Sequence, residues 1–114
     1  MTPKELLLEQ VKQSSNRKWY EQLSQILDSN GYPVGQPSED VVLSEYAKQL
    51  LWKYNEEKYT NRNDYGPEHR TPGIEEYEEF AQIIVAVLVE RQIMGRFGDV
   101  ESEVSKIINK LKEL

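Results

Sequence analysis

The sequence predicts an all-α fold: a single domain, built as a bundle of four to five helices around a central apolar helix. Three observations predict it. Apolar residues recur three and four positions apart in several separate segments, the period of a helix with one buried face. Two openings, Thr2-Pro3-Lys4-Glu5 and Thr71-Pro72-Gly73-Ile74-Glu75, set a threonine oxygen where it can accept from free amides, followed by a proline at the first helical position, where no donor is missed. Finally, the β-branched run Ile83-Ile84-Val85-Ala86-Val87 has helix-forming flanks, no breaker at either end and no partner strand elsewhere in the chain.

Each element follows in order. The first helix covers residues 3–13, with Leu7, Leu8 and Val11 on one face and Glu5 completing a capping box with Thr2. Ser14-Ser15-Asn16 either stops it or bends it. Residues 17–28 carry Trp19, Leu23, Ile26 and Leu27 at helical spacing, and Ser29-Asn30-Gly31 is a stop signal. Residues 32–37, with two prolines and a glycine, form an ordered loop. Ser38, Glu39 and Asp40 open a third helix, the acids lying against the positive end of its dipole. It extends to Glu57 and presents Val42, Tyr46, Leu50, Leu51 and Tyr54. Residues 59–70 lack apolar periodicity and read as a polar loop.

The central helix is expected over residues 72–94. Ile74, Tyr77, Ala81, Ile84 and Leu88 form one stripe, and Phe80, Ile83, Val87 and Val89 widen it until the segment is apolar nearly all round. Such a helix belongs in the middle of a bundle or in a subunit interface. Gly95 and Gly98 mark its exit and Asp99 caps a last helix over residues 100–114. There Val100, Val104, Ile107, Leu111 and Leu114 alternate four and three apart, the narrow seam of a coiled coil.

Composition bounds the chemistry. A chain of 114 residues, 38% hydrophobic, supports one core and not two. The lack of cysteine removes disulfides, thiol catalysis and cysteine-bound zinc, and with His69 as sole histidine a metal site would have to be mostly carboxylate. The first 37 residues hold four basic and four acidic side chains, so the whole net charge of −6 lies beyond them, most densely at Glu75, Glu76, Glu78 and Glu79. That charge gives no general attraction to nucleic acid or anionic membranes. The longest apolar stretch, residues 80–89, is about half the ~20 residues a membrane helix needs. Nothing at the start reads as a targeting signal, so cytoplasmic residence is expected.

Several constellations bear on function. Residues 28–39 have Asp28, Asn30 and Glu39 at the first, third and last positions of a calcium loop, but Tyr32, Pro33 and Gly35 occupy places where that loop needs an oxygen ligand, a glycine turn and an aliphatic residue. A helix stop followed by a connector explains the same residues. Glu75-Glu76-Tyr77-Glu78-Glu79 is similar to the Glu-Glu-x-x-Glu helix of the all-α MazG-type nucleotide pyrophosphohydrolases, and Gly98-Asp99 to part of that family's second Glu-x-x-Asp group. The resemblance covers the last third of the chain and implies magnesium-dependent cleavage of a nucleoside triphosphate. Arg96 stands where the second group has its glutamate. Acids at a helix start are also what its dipole favours. His69 has no nucleophile elbow near it, which leaves nucleophilic catalysis without a base in place. Arg17-Lys18-Trp19-Tyr20 and the set Lys53, Tyr54, Lys58 and Tyr59 interleave bases with aromatics as single-strand binders do, diluted by Glu21, Glu56 and Glu57.

The expectation that follows is a small, acidic, non-enzymatic protein without a cofactor or bound metal, which binds a protein partner as an adaptor, inhibitor or immunity-type protein does. Its partner-binding residues are Tyr59, Arg62, Tyr65, His69 and Arg70 in the polar loop, with Glu75, Glu76 and Glu79 at the acidic helix start. The greasy central helix needs cover, either from the other helices or from a second copy in a homodimer.

Overall fold

A helix that is apolar on every side needs neighbours on every side. The computed structural model of the chain describes residues 1–29, 45–61 and 72–113. Among these are five helices and no strand: α1 (Pro3–Gln13), α2 (Arg17–Ser29), α3 (Glu45–Asn61), α4 (Ile74–Glu90) and α5 (Val100–Glu113). α1 and α5 pack most extensively along α4, α2 and α3 also lie against it and against each other, and α1 meets α2. No helix among the described residues is long and apolar enough to cross a membrane.

On α4, Phe80, Ala81 and all residues from 83 to 89 are buried. Leu7 and Val11 cover them from α1, Trp19, Leu23 and Leu27 from α2, Leu50, Leu51 and Tyr54 from α3. The seam of α5 is turned onto the same core: Val104, Ile107 and Leu111 are buried, Ile108 joins them, and Val100 is half-buried. The choice between intramolecular cover and a partner's cover is thus met within the chain for this helix. Leu114 lies outside the described residues.

The helix ends show where local chemistry decides. Thr2 caps α1, its Oγ1 accepting from the Glu5 amide at 3.2 Å and donating to Glu5 Oε1 at 2.9 Å. The Thr2 hydroxyl, then the Thr2 backbone, lower the pKa of Glu5. Ser14 stops α1: its backbone is extended, its hydroxyl donates to the Val11 carbonyl at 2.9 Å, and the same oxygen accepts from the Asn16 amide at 3.1 Å. Asp99 caps α5 as expected, its Oδ1 accepting from the Glu101 amide at 3.1 Å.

Three expected boundaries are corrected. The proposed opening of the third helix at Ser38 lies outside the described residues, and that helix continues to Asn61, four residues past the expected end, because no glycine or proline precedes Gly66. Tyr59 is therefore on a helix and not in a loop. The central helix begins at Ile74 with Gly73 as its cap, where the Glu76 carboxylate accepts from the Gly73 amide at 3.0 Å; Thr71, the expected cap, lies outside the described residues. It also ends at Glu90, four residues early. Gln92 adopts φ 58°, while the Ile93 amide donates to the Leu88 carbonyl at 2.9 Å and the Gln92 amide to that of Val89 at 3.1 Å. This pair of bonds is the Schellman stop, built here with glutamine where glycine is usual.

Two charged side chains, Lys4 buried and Arg91 half-buried, tie the ends together. Lys4 is 3% exposed on the inner face of α1 and donates to the carbonyls of Gly95 at 3.2 Å and Phe97 at 2.8 Å, with Glu103 at 4.0 Å. Arg91 pairs with Asp28 at 2.7 Å and donates to the Ser24 carbonyl at 3.1 Å, joining the end of α2 to the end of α4. That guanidinium lowers the pKa of Asp28. The carboxylate that opened the calcium-like loop thus has a structural partner.

Two substitutions test the fold. Phe80→Ala at the fully buried position is expected to cost about 3–5 kcal/mol in denaturant unfolding. Gln92→Gly relieves the left-handed strain at φ 58° and is expected to stabilise by about 0.5–1 kcal/mol, raising the melting temperature by about 3–5 °C.

Candidate functional site

The strongest candidate surface is an open groove where the start of α2, the end of α3 and the start of α4 meet. It has a volume of about 570 Å³, and Lys18, Trp19, Tyr54, Glu57, Lys58 and Glu79 line it. Trp19 and Tyr54 form its apolar wall, edge to face with ring centroids 5.9 Å apart, and Tyr54 leans on Phe80 at 5.9 Å from the core side. Both rings are largely buried, so each offers an edge to the groove while its body packs the core. Lys18 stands with its ammonium 5.0 Å from the Trp19 ring centroid and pairs with the Glu57 carboxylate.

The opposite wall is organised by Lys58. Its side chain is 11% exposed, and its ammonium lies 3.2 Å from Glu76 Oε1, 3.3 Å from both oxygens of Glu79 and 4.0 Å from Glu75. Burial alone lowers the Lys58 pKa, but the hydrogen bonds to Glu76 and Glu79 outweigh it and the pKa is raised above the ordinary lysine value. The Tyr54 hydroxyl donates to Glu79. Acids that the sequence places in a row on one helix start are therefore sorted by register. Glu75 and Glu78 face solvent, Glu79 is about one-third exposed, and Glu76 is turned inward to cap α4 and meet Lys58.

This placement bears directly on the expected site residues. Glu75, Glu76 and Glu79 do come together, but around a lysine, and Glu76 is too buried to touch a partner. The Tyr59 side chain lies outside the described residues, as do Arg62, Tyr65, His69 and Arg70. The sequence marks Lys58 only as one of a set of bases among aromatics, because register along α3 does not reveal a partner on α4. The carboxylates of the hydrolase-like pattern do not converge: eleven residues separate Glu79 from Glu90, roughly 16 Å of helical rise. Glu90 pairs with Lys12 at 3.4 Å, and Asp99 caps α5. Among the described residues no group of three or more His, Asp or Glu is arranged to hold a metal ion.

Among the described residues, fold and groove together define a bundle of five helices with an aromatic, charge-lined cleft at one end of its central helix. Comparison with protein-family models, curated proteins and solved structures finds no match to this chain.

The Lys58 network makes two predictions. Glu76→Ala removes a buried cap and ion partner and is expected to cost about 2–3 kcal/mol, whereas Glu75→Ala at the exposed position changes stability by less than about 0.5 kcal/mol in chemical denaturation. Because the folded pKa of Lys58 is raised, its contribution is full below the unfolded lysine value of about 10.4 and is lost as pH rises through the folded value. The melting-temperature difference between wild type and Lys58→Met should stay constant from about pH 7 to 9 and close above about pH 10.4.

Proposed function

We propose that the chain is a small acidic protein of the cytoplasm that catalyses no reaction of its own and binds a macromolecular partner, in the manner of an adaptor, inhibitor or immunity-type protein. The groove between α2, α3 and α4 is its binding surface. One observation carries this reading above the hydrolase alternative. The carboxylates that would have to hold magnesium are engaged in the fold, Glu76 with Lys58 and the Gly73 amide and Glu79 with Lys58 and Tyr54, while the edges of the otherwise buried Trp19 and Tyr54 line the groove beside them. Aromatic edges ringed by charges are the usual composition of a protein-binding hot spot, and exposed Glu75 and Glu78 complement a basic partner surface.

A pair of assays tests it. A photo-crosslinking residue replacing Ser15 at the groove rim is expected to give a discrete adduct in native extract that is lost on Lys18→Glu, while the purified chain with magnesium or manganese releases no pyrophosphate from nucleoside triphosphates. Pyrophosphate release that disappears in Glu79→Gln, or a groove that yields no adduct, would reverse the assignment.

A further inference from the structure

The sides of the groove differ in how firmly they are held. Trp19 and Tyr54 are buried, and Tyr54 packs against Phe80 in the core. Lys58 meets Glu76 and Glu79 where little water reaches, so salt screens these bonds weakly. Lys18 and Glu57 are different: their side chains are 48% and 41% exposed, at the outer rim. Lys18 comes from α2 and Glu57 from α3, so their ion pair crosses from one side of the groove to the other. The same ammonium lies 5.0 Å from the Trp19 ring centroid. One side chain thus both spans the rim and covers the aromatic ring. Neighbouring charges are engaged elsewhere, Arg17 with Glu21 and Lys58 with Glu76 and Glu79.

Magnitude decides which part yields. An exposed ion pair and an exposed cation–π contact each favour the closed arrangement by only about two- to fivefold. Pulling Lys58 from its carboxylates would strand charge in a nearly dry site, disfavoured by roughly a hundredfold. The groove therefore has fixed walls and one member that opens readily.

We propose that the Lys18–Glu57 pair is a strap across the groove. Closed, it holds the Lys18 ammonium on Trp19; released by an ionic competitor for either charge, it bares the aromatic edges and frees the ammonium to meet a partner's acceptor. This inference rests on the proposed use of the groove as a binding surface and assigns its regulation. Access to the aromatics then depends on the charge of what approaches.

The test uses the full chain and no partner. Trp19 and Trp52 are its two tryptophans, so a parent carrying Trp52→Phe reports on Trp19 alone. Quenching of its fluorescence by acrylamide, a neutral probe, is measured from about 0.01 M to about 1 M sodium chloride, over which the Debye length falls from about 30 Å to about 3 Å. The series is repeated with Glu57→Gln, with Lys18→Met and with both. The Stern–Volmer constant of the parent is expected to rise at least about twofold with salt. Each variant is expected to start at the raised value, to lose the salt response, and to gain nothing further when the two are combined, as for residues acting as a unit. A side chain serving stability alone would not give this pattern, and urea midpoints of the variants should stay close to that of the parent. The salt series on the parent tests the strap without any change at the pair. A constant that is flat in salt and equal in all four proteins overturns the proposal, as does a salt response that survives Glu57→Gln undiminished. The two readings fail separately: a groove that yields no adduct does not alter the quenching result, and a flat quenching result leaves the proposed function standing.

Discussion

From residue 83 to residue 89, helix α4 has no face left for water. Phe80, Ala81 and residues 83–89 are buried around its whole circumference, and each of these side chains stabilises the fold only where a neighbouring helix takes it out of solvent. This requirement explains why α1, α2, α3 and α5 all contact α4, and why the seam of α5 is spent inside the chain. It also confines function to what the burial leaves over: the two ends of α4 and the outer faces of the helices around it.

At each of those ends a lysine, nearly withdrawn from water, joins α4 or its exit to a neighbouring helix. Lys58 reaches from α3 to carboxylates on the first turns of α4, and Lys4 reaches from α1 to carbonyls in the connection after it. The first arrangement pairs opposite charges and responds to the titration of lysine. The second saturates peptide oxygens that a tight turn would otherwise leave without donors. Each lysine also holds a surface in place, the aromatic groove at one end and the exposed Phe97 at the other.

The parts of the molecule that follow from periodicity were legible in the sequence. Leu7 and Val11, Trp19 and Leu23, the α4 run and the α5 seam all sit on the faces their spacing dictates. Boundaries set by backbone conformation were less so: nothing in the residue types marks Gln92 as left-handed, and the stop at Glu90 followed from it. Lys4 was readable in principle, since it stands three residues before Leu7 and seven before Val11 on one helical face, but residue type argued for solvent. The acidic run at the start of α4 was read correctly as an acidic patch and incompletely as a surface, because the inward turn of Glu76 depends on a lysine that only the packing of α3 brings near.

Whether one chain alone covers α4 is the claim on which the rest stands. Native-state hydrogen exchange of the amides of residues 83–89, followed from about 1 to about 100 μM protein, measures it most directly. The account predicts that these amides are the slowest in the chain, exchange through global unfolding, and keep the same protection at every concentration. Protection that falls on dilution would show that a second copy supplies the cover, and would contradict it.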